Sequence, residues 1–280
     1  MRIFFQSSQH KFNLLLCMDN RPIGIFDSGV GGLSILQEVQ KLLPLENFIF
    51  VADQANVPYG GKTQKQLQSY ANKIMAFLVG QNVKAVIVAC NTATVYAIDF
   101  LREKYIIPII GTVPVVKTIA NITKTKQTAV FSTPATAQSP YLQDLINKFA
   151  PNVTVYRIGG TGLEELVETG DLEDKKIDKI LHQFLEPLRK KRIDAIALGC
   201  THYPFLRDKI DKIVGKKVQV VDSGGAVARR TKEILTKNKI LGNKRTEDFY
   251  YTTGNKQKFA KAIKSLLKKD NTGNINSIII

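Results

Sequence analysis

Two cysteines stand at the ends of short apolar runs in this chain. The first run is KAVIVACNTAT at residues 84–94, and the second is DAIALGCTHYP at residues 194–204. Cys90 and Cys200 each end an apparent strand and precede a predicted helix, and His202 follows the second thiol by two residues. The whole chain has three cysteines and three histidines, so this spacing directs attention to thiol chemistry.

Four interpretations of these thiols compete. Cysteine is often a small buried apolar residue, which gives both a purely structural role. A zinc site needs three or four ligands, usually closely spaced, and two cysteines and a histidine without a CxxC pair match it poorly. A nucleophilic pair of Cys200 and His202 leaves Cys90 without a role. The fourth interpretation uses both thiols, because inversion of a carbon centre by proton transfer needs one base on each face of the substrate.

The two-base interpretation makes a prediction about ionisation. A free cysteine has a pKa of about 8.5. Amide groups at a helix N-terminus favour the thiolate. Because Cys90 and Cys200 each precede a predicted helix, we expect lowered pKa values for both.

Strand and helix patterns alternate along most of the chain, and they must position these thiols. Near-continuous apolar strands separated by helices indicate parallel sheets covered on both faces. The sequence therefore predicts an α/β fold with mainly parallel sheets flanked by helices. The predicted strands are PIGIFD, NFIFVAD, KAVIVAC, IPIIGTV, TAVFST, NVTVYRI, IDAIALG and finally KVQVVDSGG.

Polar residues follow several of these strands, and in parallel sheets such groups gather at the carboxyl edge. FDSGVGG near the start is similar to VDSGGAV near the end, and each half of the chain offers one cysteine strand. We therefore predict two similar domains with the site in the crevice between them. The predicted division is 21–114 plus 222–280 for the first domain, 115–221 for the second, and 1–20 as a disordered N-terminal extension.

The glycines of FDSGVGG do not match the spacing of a dinucleotide-binding GxGxxG motif. Their backbone amides, at the start of a helix, suit a carboxylate.

Composition narrows the class of protein. The chain has 280 residues, 44% of them hydrophobic, enough for a substantial core. No apolar run approaches the roughly 20 residues of a membrane helix, and three dispersed cysteines indicate a reducing cytosol. The formal net charge is +16, and the lysine-rich stretch 255–269 predicts an amphipathic helix with a solvated basic face. No nucleic-acid-reading motif accompanies this face, so a basic binding protein is only the alternative from outside the enzymes.

Several motifs together resemble the glutamate racemase family. They are GIFDSGVGGLSIL, VPYG, ACNTAT, LVETG, GCTHYPFL and VDSG, in the family's order over residues 21–255. The resemblance implies a cytoplasmic, homodimeric isomerase that interconverts L- and D-glutamate without cofactor or metal and supplies D-glutamate for peptidoglycan. It also implies that Cys90 deprotonates D-glutamate and that Cys200 deprotonates L-glutamate.

The same resemblance implies roles for other residues. Asp27 would assist near the first thiol, and His202 and Glu168 would assist in the half that holds Cys200. Glu168 lies on an acidic, surface-like helix, so a structural role stays open for it. The implied substrate-binding residues are Asp27, Ser28, Tyr59, Gly60, Asn91, Thr92, Thr133, Thr136, Thr201 and His202.

The chain departs from the family pattern at residues 158–168. It reads IGGTGLEELVE where many members have a Cys-Pro pair and an apolar FVPLVE-like run, a change that could alter substrate fit or domain packing. Ser132 also stands where glycine is commoner. The alternative within the family is an aspartate racemase, but these enzymes tend to have Glu where this chain has His202. A pyridoxal-phosphate racemase would leave both thiols idle, and no pattern marks a Schiff-base lysine.

Overall fold

The computed structural model describes residues 18–268 and 274–280. The prediction for residues 1–20 therefore falls, up to residue 17, outside the described residues. The strands are β1 (Ile23–Asp27), β2 (Phe48–Ala52), β3 (Ala85–Val88), β4 (Ile109–Gly111), β5 (Gln127–Ser132), β6 (Thr154–Gly159), β7 (Ala195–Gly199), β8 (Gln219–Val221), β9 (Phe249–Thr252) and β10 (Asn274–Ser277).

The helices alternate with these strands. They are α1 (Leu33–Leu42), α2 (Gln64–Gly80), α3 (Asn91–Lys104), α4 (Val116–Ile122), α5 (Pro134–Gln138), α6 (Pro140–Phe149), α7 (Leu163–Glu168), α8 (Lys175–Leu185), α9 (Arg207–Val214), α10 (Gly224–Lys237) and α11 (Lys256–Leu267). Short 3₁₀ turns lie at Tyr59–Gly61, Glu186–Lys190 and Tyr203–Leu206. Across residues 18–268 and 274–280, no helix has both the length and the apolar character needed to span a bilayer.

The strands form two sheets in which the paired neighbours are parallel. The six-stranded sheet has the order β10-β9-β2-β1-β3-β4, and the four-stranded sheet has the order β6-β5-β7-β8. Strands such as β1, β2, β3 and β7 are buried along their whole length, as expected for sheets covered by helices on both faces. The predicted α/β fold with parallel sheets flanked by helices is confirmed. The predicted domain boundaries stay a prediction.

The two sheets share one strand order. The order β2-β1-β3-β4 in the first sheet corresponds to the order β6-β5-β7-β8 in the second, so β1 is equivalent to β5, β2 to β6, β3 to β7 and β4 to β8. Cys90 follows β3 and Cys200 follows β7, so the two thiols lie after equivalent strands. By the same order, β1 with its Asp27 is equivalent to β5, which ends at Ser132. The prediction that the two DSG segments are structurally equivalent is therefore wrong, because Asp27 ends β1 whereas Asp222 follows β8.

Two strands near the C-terminus, β9 and β10, were not predicted from the sequence. β9 pairs with β2, and β10 adds to its outer side as a further parallel strand. β10 has the polar sequence NINS, which carries no apolar signal for a strand. Between them lies α11, the predicted lysine-rich helix, whose predicted apolar face is buried as expected. Its buried residues are Phe259, Ala262, Ile263, Leu266 and Leu267.

A buried ion pair lies at the amino-terminal end of the strands of the first sheet. The ammonium of Lys84, just before β3, contacts the carboxylate of Glu46, and their side chains are 0% and 2% exposed. Lys84 also donates to the backbone oxygen of Asp19, and the amide of Gly242 donates to Glu46 Oε1 at 2.7 Å. This cluster connects four segments of the chain that are distant in sequence.

Candidate active site

A cavity of about 220 Å³ lies where the carboxyl ends of strands from both sheets meet. Both thiols line it, together with most of the residues expected to bind substrate. Asp27, Thr136 and Glu168 lie behind this lining, each in contact with a residue that forms it. The lining includes Ser28, Tyr59, Gly60, Cys90, Asn91 and Thr92 from the first half, and Thr133, Glu164, Cys200, Thr201 and His202 from the second.

Cys90 caps the N-terminus of α3. Its Sγ accepts a hydrogen bond from the amide of Ala93 at 3.4 Å and lies 3.8 Å from the hydroxyl of Ser28. Burial, followed by the negative charge of Asp27, nevertheless raises the pKa of the Cys90 thiol far above its ordinary value. The predicted lowering is wrong for this state of the protein, because desolvation outweighs the single amide donor.

Cys200 lies between two polar partners. Its Sγ is 3.7 Å from Nδ1 of His202 and 3.7 Å from Oε1 of Glu164. A short 3₁₀ turn, not the predicted helix, follows it directly. Burial raises the pKa of the Cys200 thiol well above its ordinary value, and a negative charge on Glu164 would raise it further. The neutral form of both thiols is therefore favoured near neutral pH when no further cation is in the cavity.

His202 and Glu168 form a close pair behind Cys200. Nε2 of His202 is 2.7 Å from Oε1 of Glu168, and the side chains are 2% and 10% exposed. Burial by itself disfavours the imidazolium, but the hydrogen bond and negative charge of Glu168, with other carboxylates nearby, raise the pKa of His202 to about 9. Glu168 contacts the histidine, so its influence on Cys200 passes through His202.

Glu168 also joins the two halves of the molecule. Its Oε1 accepts from the amide of Val30 and its Oε2 from the side-chain amide of Gln54, both at 2.6 Å. Val30 follows β1 and Gln54 follows β2, whereas Glu168 ends α7 near the second sheet.

Asp27 makes a similar connection from the first sheet. Its Oδ2 accepts from the amide of Gly32 at 2.6 Å and from the hydroxyl of Thr201 at 3.2 Å. Ser28 Oγ lies 3.5 Å from its Oδ1. Burial raises the pKa of this fully buried carboxyl, and the charge of His202 opposes that rise.

The glycines of FDSGVGG allow these halves to approach closely. A Cβ on Gly29 would overlap the carboxylate of Glu168, and one on Gly31 would lie 2.5 Å from Nδ1 of His202. The lack of side chains at Gly29 and Gly31 therefore allows this stretch to pack directly against Glu168 and His202.

The segment after β2 contributes Tyr59 and Gly60 to the cavity lining. Tyr59 is 2% exposed, and its hydroxyl donates to Oδ2 of Asp53 at 2.6 Å. Its hydroxyl is thus engaged away from the cavity, which Tyr59 and the adjacent Gly60 line. Asp53 was missed in the sequence analysis, although its place at the end of the NFIFVAD strand was a usable signal.

A group of uncharged polar side chains lies beside Cys90. The hydroxyl of Thr92 is 3.2 Å from that of Thr133 and 3.3 Å from that of Thr136. Asn91 is 3% exposed, and neither its Oδ1 nor its Nδ2 has a hydrogen-bond partner within the described part of the chain. A buried amide without a partner is costly, so Asn91 is suited to a polar ligand in the cavity it lines.

The structure also brings together residues that the sequence analysis did not assign. Glu164 is 6% exposed, lines the cavity and accepts from the hydroxyl of Tyr203 at 3.3 Å. The helix that carries it was predicted to be acidic and surface-like.

Among residues 18–268 and 274–280, no cluster of three or more His, Cys, Asp or Glu side chains is arranged to hold a metal ion.

Comparison with known proteins adds to this geometry. The model of the Asp/Glu/Hydantoin racemase family matches residues 33–231. A glutamate racemase from Herpetosiphon aurantiacus is 40% identical over 246 residues, which cover 87% of this chain and 97% of the relative.

Solved structures give the same result. A glutamate racemase isoform from Bacillus anthracis matches with a TM-score of 0.87 at 30% identity, over 94% of this chain and 98% of its own. A Francisella tularensis glutamate racemase in complex with D-glutamate matches at 0.81 and 32%, over 93% and 98%. An aspartate racemase from Picrophilus torridus, at 0.51 and 17% over 78% and 94%, shares the fold alone. The chain belongs to the Asp/Glu/Hydantoin racemase family and, within it, to the glutamate racemases.

Proposed function

We propose that this chain interconverts L- and D-glutamate by proton transfer between the substrate and two cysteine thiols. The observation that carries the proposal is the pair of thiols, which follow equivalent strands of the two sheets and line one cavity. A relative solved with D-glutamate supports the choice of substrate. Aspartate has weaker support, since the aspartate racemase compared shares only the fold.

The proposed reaction needs one thiolate and one thiol. The thiolate takes the proton from Cα, so the Cα–H bond breaks, an S–H bond forms, and the electron pair stays on the substrate carbon. The thiol on the other face then gives its proton to that carbon, which breaks its S–H bond and inverts the centre. Following the resemblance, Cys200 removes the proton from L-glutamate and Cys90 removes it from D-glutamate.

The neutral thiols of this structure require an activating charge. The substrate brings an α-ammonium group, and the Asp27 carboxylate, which lies behind the cavity lining, attracts it. A cation there offsets the negative charge that raises the pKa of Cys90. On the other side, an imidazolium at His202 lies 3.7 Å from Cys200 Sγ and favours its thiolate.

The remaining polar groups are suited to the two carboxylates of glutamate. Asn91 offers a buried amide without a protein partner, and Thr92 and Thr201 offer hydroxyls. We assign Ser28, Tyr59, Gly60, Thr133 and Thr136 to the same binding surface, Thr136 through its bond to Thr92. Exclusion of water from this small cavity would protect the carbanion from solvent protons.

The wider setting follows from the family resemblance alone. We propose that the enzyme acts without a cofactor in the cytoplasm, forms a homodimer and supplies D-glutamate for peptidoglycan. Light scattering on the purified chain tests the dimer directly, and a monomeric mass at assay concentrations would contradict it.

The main test follows the α-proton of L-glutamate in deuterated water by NMR, with chiral separation of the products. Wild type, Cys90→Ser and Cys200→Ser are compared, each checked for fold by circular dichroism. We expect exchange and D-glutamate formation in wild type, and a loss of D-glutamate formation by several orders of magnitude in both variants, because inversion needs both thiols. Racemisation that survives in either variant would refute the two-thiol mechanism, and exchange with aspartate but not glutamate would refute the substrate.

A further inference from the structure

Glu164 is a buried carboxyl for which the two-thiol reaction has no assigned use. It is the second residue of α7, 6% exposed, and it lines the cavity. It belongs to the segment in which this chain departs from the family pattern. When the final LVE of the FVPLVE-like run is matched to Leu166–Glu168, Glu164 stands in the place of the valine.

The contacts of Glu164 concentrate on one oxygen. Oε1 is 3.7 Å from Sγ of Cys200 and accepts a hydrogen bond from the hydroxyl of Tyr203 at 3.3 Å. Tyr203 is fully buried, and the ring of Phe131 stacks on it at 4.5 Å between centroids. The tyrosine thus fixes the carboxyl against the sulfur.

The charges around Cys200 are unbalanced. The carboxyls of Glu164 and Asp27 act on Cys200, whereas that of Glu168 is paired with His202, the cation among the described residues that line the cavity. Glu168 is paired with that histidine and has two amide donors, and Asp27 has an amide and a hydroxyl donor.

Glu164 has the weakest support of the three for a negative charge. The side-chain donors to its Oε1 are both neutral, the hydroxyl of Tyr203 and the thiol of Cys200, and the exposed Glu165 adds a like charge on the same helix. Burial raises the pKa of Glu164 above its ordinary value, although the charge of His202 opposes this. Burial without a directly paired cation therefore favours the neutral form of Glu164.

We propose that Glu164 is a neutral carboxylic acid that donates a hydrogen bond from Oε1 to Sγ of Cys200 and so stabilises the thiolate. Cys200 then has two donors, Nδ1 of His202 and Oε1 of Glu164, when it acts as the base. This rests on the proposed function only for its catalytic consequence, because the stabilised thiolate can be measured directly.

The test measures the pKa of Cys200 from the pH dependence of its alkylation by iodoacetamide. Mass spectrometry of the peptide that contains Cys200 reports this thiol alone, in a Cys90→Ser background. The variants are Glu164→Val, which introduces the residue of the family's apolar run, and Glu164→Gln, which keeps a neutral donor. Glu186→Gln, which removes a carboxylate that is 61% exposed and lies outside the cavity lining, is the matched control.

A hydrogen bond to a charged group contributes about 1.5–3 kcal/mol, so Glu164→Val should raise the pKa of Cys200 by about one to two units. Glu164→Gln and the control Glu186→Gln should leave it within about half a unit. If Glu164 is ionised instead, both Glu164 variants will lower the pKa. That result overturns the proposal, as does an unchanged pKa in Glu164→Val.

Racemisation is measured in parallel with both original cysteines present. Glu164→Val should lower kcat/KM at neutral pH by about tenfold or more and move the acid limb of the pH profile upward, while Glu164→Gln should retain the profile. Wild type that fails to racemise glutamate would defeat the proposed function, yet the alkylation measurement would still decide the state of Glu164.

Discussion

Replacement of Glu168 by Gln should remove most of the positive charge on His202 near neutral pH. The two side chains are 2.7 Å apart and almost fully buried, so solvent screens their attraction little. Without the carboxylate, burial still disfavours the imidazolium. We therefore expect the pKa of His202 to fall from about 9 to its ordinary value of 6.5 or below.

The size of the effect follows from that difference. A fall from about 9 to 6.5 is about 2.5 units, or about 3.4 kcal/mol. A raised folded-state pKa stabilises the protein fully below the unfolded value of 6.5, and this contribution is lost as pH rises through 9. Wild type should thus lose about 3 kcal/mol across this window because of His202, and Glu168→Gln should lack that loss.

Two measurements check this prediction. An NMR titration of the imidazole nitrogens gives the pKa of His202, which is one of three histidines. Urea unfolding at several pH values between about 6.5 and 8.5 gives the slope of stability against pH.

The chain provides a matched control for both measurements. Glu186 lies 3.8 Å from His182, but these side chains are 61% and 54% exposed, so Glu186→Gln should change neither measurement. A His202 pKa that stays within about one unit of 9 in Glu168→Gln would refute the reasoning.

Three further substitutions test the stability of the fold by urea unfolding. Lys84→Ala leaves the buried carboxylate of Glu46 without its cation and should cost about 3–5 kcal/mol; an effect below about 1 kcal/mol would contradict the burial of this pair. Tyr59→Phe removes the donor to Asp53 and should cost about 1–2 kcal/mol, whereas no loss would mean that water replaces the hydroxyl. Asn255→Ala removes the side-chain cap of α11 and should cost about 1 kcal/mol, and an unchanged midpoint would show that this cap contributes nothing.

The sequence predicted the placement of both thiols because two simple rules act together. Cys90 and Cys200 end apolar runs, and the carboxyl ends of parallel strands meet at one edge of a sheet. Neither rule depends on side-chain packing. Their ionisation was predicted wrongly, since a helix start is visible in sequence but the extent of desolvation is not.

The position of Glu164 in the cavity lining was not predicted from the sequence. It adjoins Glu165 on a six-residue helix, too short for periodicity to show which carboxyl faces inward. A usable signal was its position three residues before the buried Val167, on the same helical face. The misassigned DSG segment near Asp222 has a related cause, because short sequence similarity carries no information on strand order.

The missing side chains of Gly29 and Gly31 set how near the two halves can come. A methyl group at either position would act as a spacer, since it would meet Glu168 or His202 before the present contact is reached. Relief of that overlap would require the second half to move away from the residues that follow β1. Because both thiols must reach one substrate carbon from opposite sides, the proposed reaction depends on the absence of side chains at these two glycines.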